Sequence, residues 1–268
     1  MGKFDGILLA SDFDDTLYGL NLRIPERNLE AIRYFIREGG RFVISTGRAH
    51  RTFSPFAHLV PMNAPAVLSN GAAIYDFQTD RMLEQTCLPD SAPWDLAAVM
   101  EEFPTLSLEA YHGEDIYVCN PNEITLAHLK KVNCDYTECA VRDMPTPWVK
   151  GIFHQEREVL LQVQARMLAE HGEQYEAIFS NPRYLELTRK GSSKGGGVAR
   201  VARMLGVAPD RIYCVGDNQN DIPMLALSAI PFAPANCAQE VKDWGARVLC
   251  HCDDGVIGDI VEILDKLY

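Results

Sequence analysis

The sequence predicts an α/β fold: a doubly wound parallel sheet interrupted by a second, inserted α/β unit. Short apolar runs of strand length alternate with stretches of helical periodicity, the rhythm of strands joined by crossover helices. That rhythm breaks between about Leu83 and Leu187 and resumes afterwards. The chain has 268 residues, 47% of them hydrophobic, which is enough for two cores.

The elements follow in order. The run "ILLAS" before Asp12 reads as the first strand. Pro25 then opens a helix with Leu29, Ile32, Phe35 and Ile36 on one face, and Gly39 and Gly40 stop it. "RFVIS" (Arg41 to Ser45) and "AVLSN" (Ala66 to Asn70) are short buried strands. In the insert, Trp94, Trp148 and several prolines change the texture, and helices are predicted near Leu96–Glu102 and Arg157–His171. Beyond it, Val198, Val201, Ala202 and Leu205 share a helix face that ends at Gly206, and "RIYCVG" (Arg211 to Gly216) is a third strand. "AIPFA" and "ARVLC" are further strands, and a closing helix puts Ile257, Ile260, Val261 and Leu264 on one side. The predicted organisation is a core of residues 1–83 and 187–268 with an inserted unit of residues 84–186.

Composition excludes several functions. A formal charge of -12 with no basic run argues against a nucleic-acid surface. No stretch approaches the ~20 apolar residues of a membrane span, "GILLA" is too short for a signal-peptide core, and "MGKFDG" misses the myristoylation pattern, so the expected location is cytoplasmic. The eight cysteines form no CxxC pair and are expected as reduced thiols. Monomer and dimer both stay open.

The polar residues after the strands point to a site. Asp12 and Asp14 follow the first strand, Thr46 the second, Asn70 "VLS" and Asp217 "CVG". In an open parallel sheet these positions converge in one crevice at the carboxyl ends of the strands. If the extended backbone continues past Ser11, Asp12 and Asp14 project to one side and Phe13 to the other. Two such carboxylates repel unless a cation intervenes, and an all-oxygen set of Asp12, Asp14 and Asp217 suits Mg2+. Lys194, in "RKGSSKGGG", is a point charge near a helix start, in a glycine run that lacks the GxxxxGK[ST] order of a P-loop. Taken singly, these residues have plainer readings. Asp12 to Asp15 fits a cap cluster or solvated turn, Thr46 with Gly47 a strand-to-helix turn, Lys194 a surface lysine, and Asn70 with Gly71 a hairpin turn. Arg48 fits a phosphate ligand or the partner of a surface acid. Tyr111, His112, Trp148 and His154 in the insert fit substrate contacts, and more plainly packing or surface residues.

"DFDDTL", "STGR", "KGSSKGGG" and "GDNQNDIPM", in that order over nearly the whole chain, resemble the four motifs of the haloacid dehalogenase-like hydrolase superfamily. The large insert between the second and third motifs resembles its Cof-like branch of sugar-phosphate and small-metabolite phosphatases. The resemblance implies a Rossmann-like core with the insert as an α/β cap. It also implies an Mg2+-dependent phosphatase that acts on small phosphorylated metabolites through an aspartyl phosphate. Asp12 would be the nucleophile, and Asp14 the general acid and base that also offers its backbone carbonyl to the metal. Thr46, Gly47, Lys194 and Asn220 would hold the phosphoryl group. Asp217 would ligate the metal, with Asp221 a second ligand or an outer partner. Asp15 stands where the family most often has Gly and adds a negative charge beside the phosphate loop. A phosphomutase with the same covalent chemistry and a non-catalytic phospho-acceptor are the alternatives.

Overall fold

A computed structural model describes residues 2–268. The chain runs β1 (Leu8–Ser11), α1 (Glu26–Arg37), β2 (Arg41–Ile44), α2 (His50–Ala57), β3 (Ala66–Leu68), β4 (Ala73–Asp76), β5 (Arg81–Gln85) and α3 (Ala92–Glu102). It continues through β6 (Ser107–His112), β7 (Asp115–Cys119), α4 (Glu123–Val132), β8 (Thr137–Glu138), β9 (Lys150–His154), α5 (Arg157–His171), β10 (Tyr175–Asn181) and β11 (Tyr184–Arg189). It closes with α6 (Lys194–Met204), β12 (Ile212–Val215), α7 (Ile222–Leu225), β13 (Pro231–Ala233), α8 (Gln239–Trp244), β14 (Arg247–Val248) and α9 (Val256–Leu267).

Strands β14, β13, β12, β1 and β2 form a parallel sheet in that order. Its strands are near-continuous apolar runs because both faces are covered. With a side-chain period of two, Leu9, Phe42, Ile44, Tyr213 and Val215 join Ile32, Phe35, Ile257, Ile260 and Leu264 from α1 and α9. Leu8, Ala10, Val43, Ile212 and Cys214 join Val198, Val201, Met224, Leu225 and Val241 from α6, α7 and α8 on the other face. Buried Asn28 of α1 accepts the backbone N–H groups of Ile257 and Gly258, satisfying the first turn of α9. The chain leaves β1 toward β2 on one side and returns to β12 on the other, so the switch point lies at the end of β1.

The strand predicted at "AVLSN" is β3, but it belongs mainly to a different sheet. It pairs antiparallel with β4, and β4 with β5, while only a bridge between Ser45 and Val67 joins it to the end of β2. The turn between β3 and β4 is the Asn70–Gly71 pair, both at positive φ. A Cβ on Gly71 would lie 2.1 Å from the Ser193 carbonyl, so this turn must pack directly on the approach to α6.

The second large sheet has the order β10-β11-β9-β6-β7-β8 and is antiparallel except between β7 and β8. Its last strand in the chain runs to Arg189, past residue 186. One face is apolar: Leu108, Ala110, Phe153, Leu185 and Leu187 pack on Leu96, Leu160, Val163 and Met167 from α3 and α5. The alternate residues Glu109, Tyr111, Lys150, His154, Tyr184 and Glu186 make the opposite face polar although it is largely buried. Helix α4, which the sequence reading did not anticipate, covers part of that face through Leu129 against Val118 and Ile152. Trp148 is buried in the apolar side and His112 lies at the surface, while Tyr111 and His154 sit on the polar face.

Candidate active site

The backbone does not stay extended after β1. Asp12 donates its N–H to the Val215 carbonyl, but Asp15 has φ +57°, and the chain turns back through paired Asp14 and Tyr18. That left-handed backbone is the physical reason glycine suits the position, and Asp tolerates it better than most residues. The first two carboxylates take different partners. Asp12 is buried and points to Lys194, whereas Asp14 accepts from Arg48 Nε and Nη2 at 2.8 and 2.7 Å. The cation that the crowding of Asp12 and Asp14 requires is thus supplied partly by Arg48, which also lies over the Phe56 ring at 4.5 Å.

Lys194 opens α6, with Ser193 capping the helix by accepting the Gly196 N–H. The glycine run after it is a packing device. A Cβ on Gly195 would lie 2.1 Å from the Pro223 carbonyl oxygen, and one on Gly197 would lie 2.3 Å from Val67 Cγ1. The bare helix start therefore lies against α7 and β3, and Lys194 Nζ reaches Asp12 Oδ1 at 2.5 Å and Asp221 Oδ1 at 2.6 Å.

Asp12, Asp217 and Asp221 bring a carboxylate oxygen each to within 4.8 Å of one another. The Asp14 side chain is not in this cluster. Asp221 accepts the N–H groups of Asp217 and Asn218 on Oδ2, at 2.9 and 3.0 Å, and Lys194 on Oδ1, so its oxygens are engaged in holding the loop. Asp217 accepts only the Thr16 hydroxyl at 3.2 Å. One ammonium faces three carboxylates. Burial, opposed by Lys194 and reinforced by Asp221, raises the Asp12 pKa to about 7, and burial with Asp12 and Asp221 raises Asp217 well above the usual range. Burial disfavours the Lys194 ammonium, yet Asp12 and Asp221 outweigh it and hold its pKa high. An excess of hard, buried oxygen donors over cations is the donor set that fits a divalent ion such as Mg2+.

Thr46 is buried, and its hydroxyl accepts the Arg48 N–H at 3.1 Å. No helix starts there, because α2 begins at His50. Asn220 Nδ2 donates to Asn70 Oδ1 at 3.1 Å, leaving Asn220 Oδ1 and Asn70 Nδ2 buried without partners. Asp12, Asp14, Thr46, Gly47, Lys194, Asp217 and Asn220 line one cavity, and Asp221 lies behind it.

The sequence reading named only Tyr111 of the opposite wall. Tyr111, His128, Lys150, Tyr184 and Glu186 of the six-stranded sheet and α4 line the same cavity. Lys150 Nζ bonds Glu186 at 2.9 Å and the Gly47 carbonyl at 2.8 Å, tying that sheet to the loop after β2. The available signal was polar residues at alternate positions in "LEAY" and "YLEL" and at both ends of "KGIFH", strands whose other residues are apolar.

A family profile of haloacid dehalogenase-like hydrolases matches residues 9–260, and the chain belongs to that family. Within it, the chain is a phosphatase, an enzyme of phosphoric monoester hydrolysis. The 5-amino-6-(5-phospho-D-ribitylamino)uracil phosphatase YitU of Bacillus subtilis is 26% identical over 262 residues, covering 93% of this chain and 94% of that protein. The pyridoxal phosphate phosphatase YbhA of Escherichia coli is 23% identical, over 88% of this chain and 90% of its own length. Two solved structures share the fold. A subclass IIB sugar phosphatase of the superfamily has a TM-score of 0.84 at 21% identity, covering 97% of this chain and 99% of the other. A phosphatase from Bacteroides thetaiotaomicron has a TM-score of 0.83 at 19% identity, covering 98% and 96%.

Proposed function

We propose that the protein is an Mg2+-dependent phosphatase of small phosphorylated metabolites that works through an aspartyl phosphate on Asp12. The observation that carries this reading is the Lys194 ammonium held between Asp12 and Asp221 in a cavity that also presents Thr46, Asp217 and Asn220. The substrates in the names of the two curated relatives, a ribityl phosphate and pyridoxal phosphate, support that substrate class. A cytoplasmic location accords with it, and no described helix is long and apolar enough to cross a membrane.

Asp12, Asp217 and the Asp14 carbonyl would hold Mg2+, with Asp221 fixing the Asp217 loop; the bound ion neutralises phosphoryl charge. An Asp12 carboxylate oxygen attacks phosphorus, and the bond from phosphorus to the ester oxygen breaks. Asp14, protonated once it leaves Arg48, gives that oxygen a proton, then takes one from the water that cleaves the aspartyl phosphate. The Thr46 hydroxyl and Lys194 ammonium hydrogen-bond the phosphoryl oxygens as charge spreads over them. Residues 1–83 and 187–268 act as the catalytic core, and residues 84–186 as a cap that excludes water and reads the leaving group.

The test is phosphate release from a panel of phosphorylated sugars, nucleotides and cofactors, with Mg2+ and with excess chelator. Release that needs Mg2+ supports the reading. Full activity in chelator removes the metal, and an isomeric phosphate ester in place of free phosphate makes the protein a phosphomutase.

A further inference from the structure

The cap wall holds a buried carboxylate that the reaction above does not use. Glu109 on β6 is fully enclosed by three donors. The Tyr111 hydroxyl bonds Oε1, and His128 Nδ1 and His154 Nε2 each lie 3.0 Å from Oε2. Burial pushes the Glu109 pKa up, but the hydrogen bonds from His128 and His154 outweigh it and hold the carboxyl well below its usual range. A carboxylate at this depth needs a counter-charge. Lys150 is already committed to Glu186 and the Gly47 carbonyl. His154 is completely enclosed, and burial pushes its pKa down against the Glu109 hydrogen bond. His128 is different, because its side chain is 13% exposed and lines the same cavity as Asp12. Its ring is fixed between Tyr184 and His154, with centroids 5.0 and 5.3 Å away, and its second nitrogen bonds no described residue.

Glu109, His128 and His154 have the make-up of a transition-metal triad, with donor atoms within 4.8 Å of one another. A metal-bound histidine ordinarily donates its other N–H to an acceptor. His154 Nδ1 is buried with no partner, so a hydrogen-bonded charge network fits these positions better than a metal centre.

We propose that His128 is the leaving-group reader of the cap: a ring anchored to Glu109 through Nδ1 whose free Nε2, with the Lys131 ammonium one turn on, meets a second anionic group on the substrate. The inference rests on the phosphatase reading and narrows the substrate to phosphate monoesters that also carry a carboxylate or a second phosphate. The other charged or titratable groups around the cap wall are Tyr111 on β6, Lys150 on β9, Tyr184 and Glu186 on β11, Lys131 on α4 and Asp15 on the core. Glu186 is matched by Lys150, and Glu109 is hydrogen-bonded to His128, His154 and Tyr111. Lys131 lies one turn beyond His128 and forms no ion pair among the described residues, so it supplies a free cation on that side.

The test compares kcat/KM for matched substrates with and without the second anion, phosphoglycerate against glycerol phosphate and a hexose bisphosphate against a hexose monophosphate. An aryl phosphate is included as a reference. The wild type is expected to prefer the anionic member of at least one pair by tenfold or more. His128→Gln should lower that ratio at least tenfold, chiefly through KM, and His128→Lys should restore part of it. Equal losses for both members of a pair, or no preference in the wild type, overturn the proposal. A wild type that turns over the aryl phosphate without charge preference refutes this inference alone, whereas one that releases no phosphate from any ester refutes the phosphatase reading as well.

Should His128→Gln fail to fold, 15N-histidine NMR of the full-length Asp12→Asn protein decides. The His128 ring signals are expected to shift with phosphoglycerate but not with glycerol phosphate. No shift with phosphoglycerate, or one zinc ion bound per chain at Glu109, His128 and His154, overturns it.

Discussion

Arg48 holds both carboxylate oxygens of Asp14, with Nε on Oδ2 at 2.8 Å and Nη2 on Oδ1 at 2.7 Å. Arg48 is itself fixed by the Thr52 carbonyl and the Phe56 ring, so the pair is a built part of the cavity wall. It sets Asp14 apart from the Asp12, Asp217 and Asp221 cluster and leaves it an acid–base role distinct from the nucleophile's.

That separation predicts different failures for the two carboxylates. With an aryl phosphate whose leaving group needs no proton, Asp14→Asn should still release about one equivalent of the phenol in a burst. Turnover should then be slower by on the order of 10²–10⁴-fold, the usual worth of a general base. Asp12→Asn should show no burst. Rapid-quench measurement of the phenol checks both, and a burst from Asp12→Asn would reassign the nucleophile.

The Glu109 network predicts a pH-dependent stability for the cap. Removing one partner of a buried ionic network costs about 3–5 kcal/mol, so Glu109→Gln should be less stable than the wild type at pH 7. The folded-state pKa of Glu109 lies below its ordinary value of 4.5, so its stabilisation is complete above that pH and lost as the pH falls toward the folded value. The gap between the two proteins should therefore narrow below about pH 4.5. Urea unfolding followed by the fluorescence of Trp148, buried in the cap core, measures it. A gap that widens in acid would show that Glu109 is not held ionised.

Packing at the start of α6 predicts that Gly195→Ala damages both stability and turnover. The added Cβ would stand 2.1 Å from the Pro223 carbonyl oxygen, which is backbone and cannot swing aside. The helix must shift, costing about 1–3 kcal/mol as overpacking does. Lys194, the residue before, moves with it and lets go of Asp12 and Asp221. Thermal unfolding should show a lowered Tm, and phosphatase assay at least a tenfold lower kcat. An unchanged Tm would mean that α6 is free to slide.

What the sequence determined by itself was the local order of the chain. Strand-length apolar runs, helix faces such as Ile257, Ile260, Val261 and Leu264, and the polar residues ending β1, β2 and β12 all follow from short-range periodicity, and the sheet brings those ends together. The four motifs carried the family because each is a contiguous stretch. Tertiary structure alone decided which charges meet. Lys194 lies 182 positions from Asp12 and Arg48 lies 34 positions from Asp14, and no periodicity links such partners. Asp14 meets Arg48 and Asp12 meets Lys194, partners that alternation along a strand does not name. The polar face of the cap was equally hidden, because residues alternating along a strand look solvent-exposed until a second body covers them. Cover by α4, which brings His128 to Glu109, and by the loop after β2, whose Gly47 carbonyl meets Lys150, makes this face a paired, buried network facing the site.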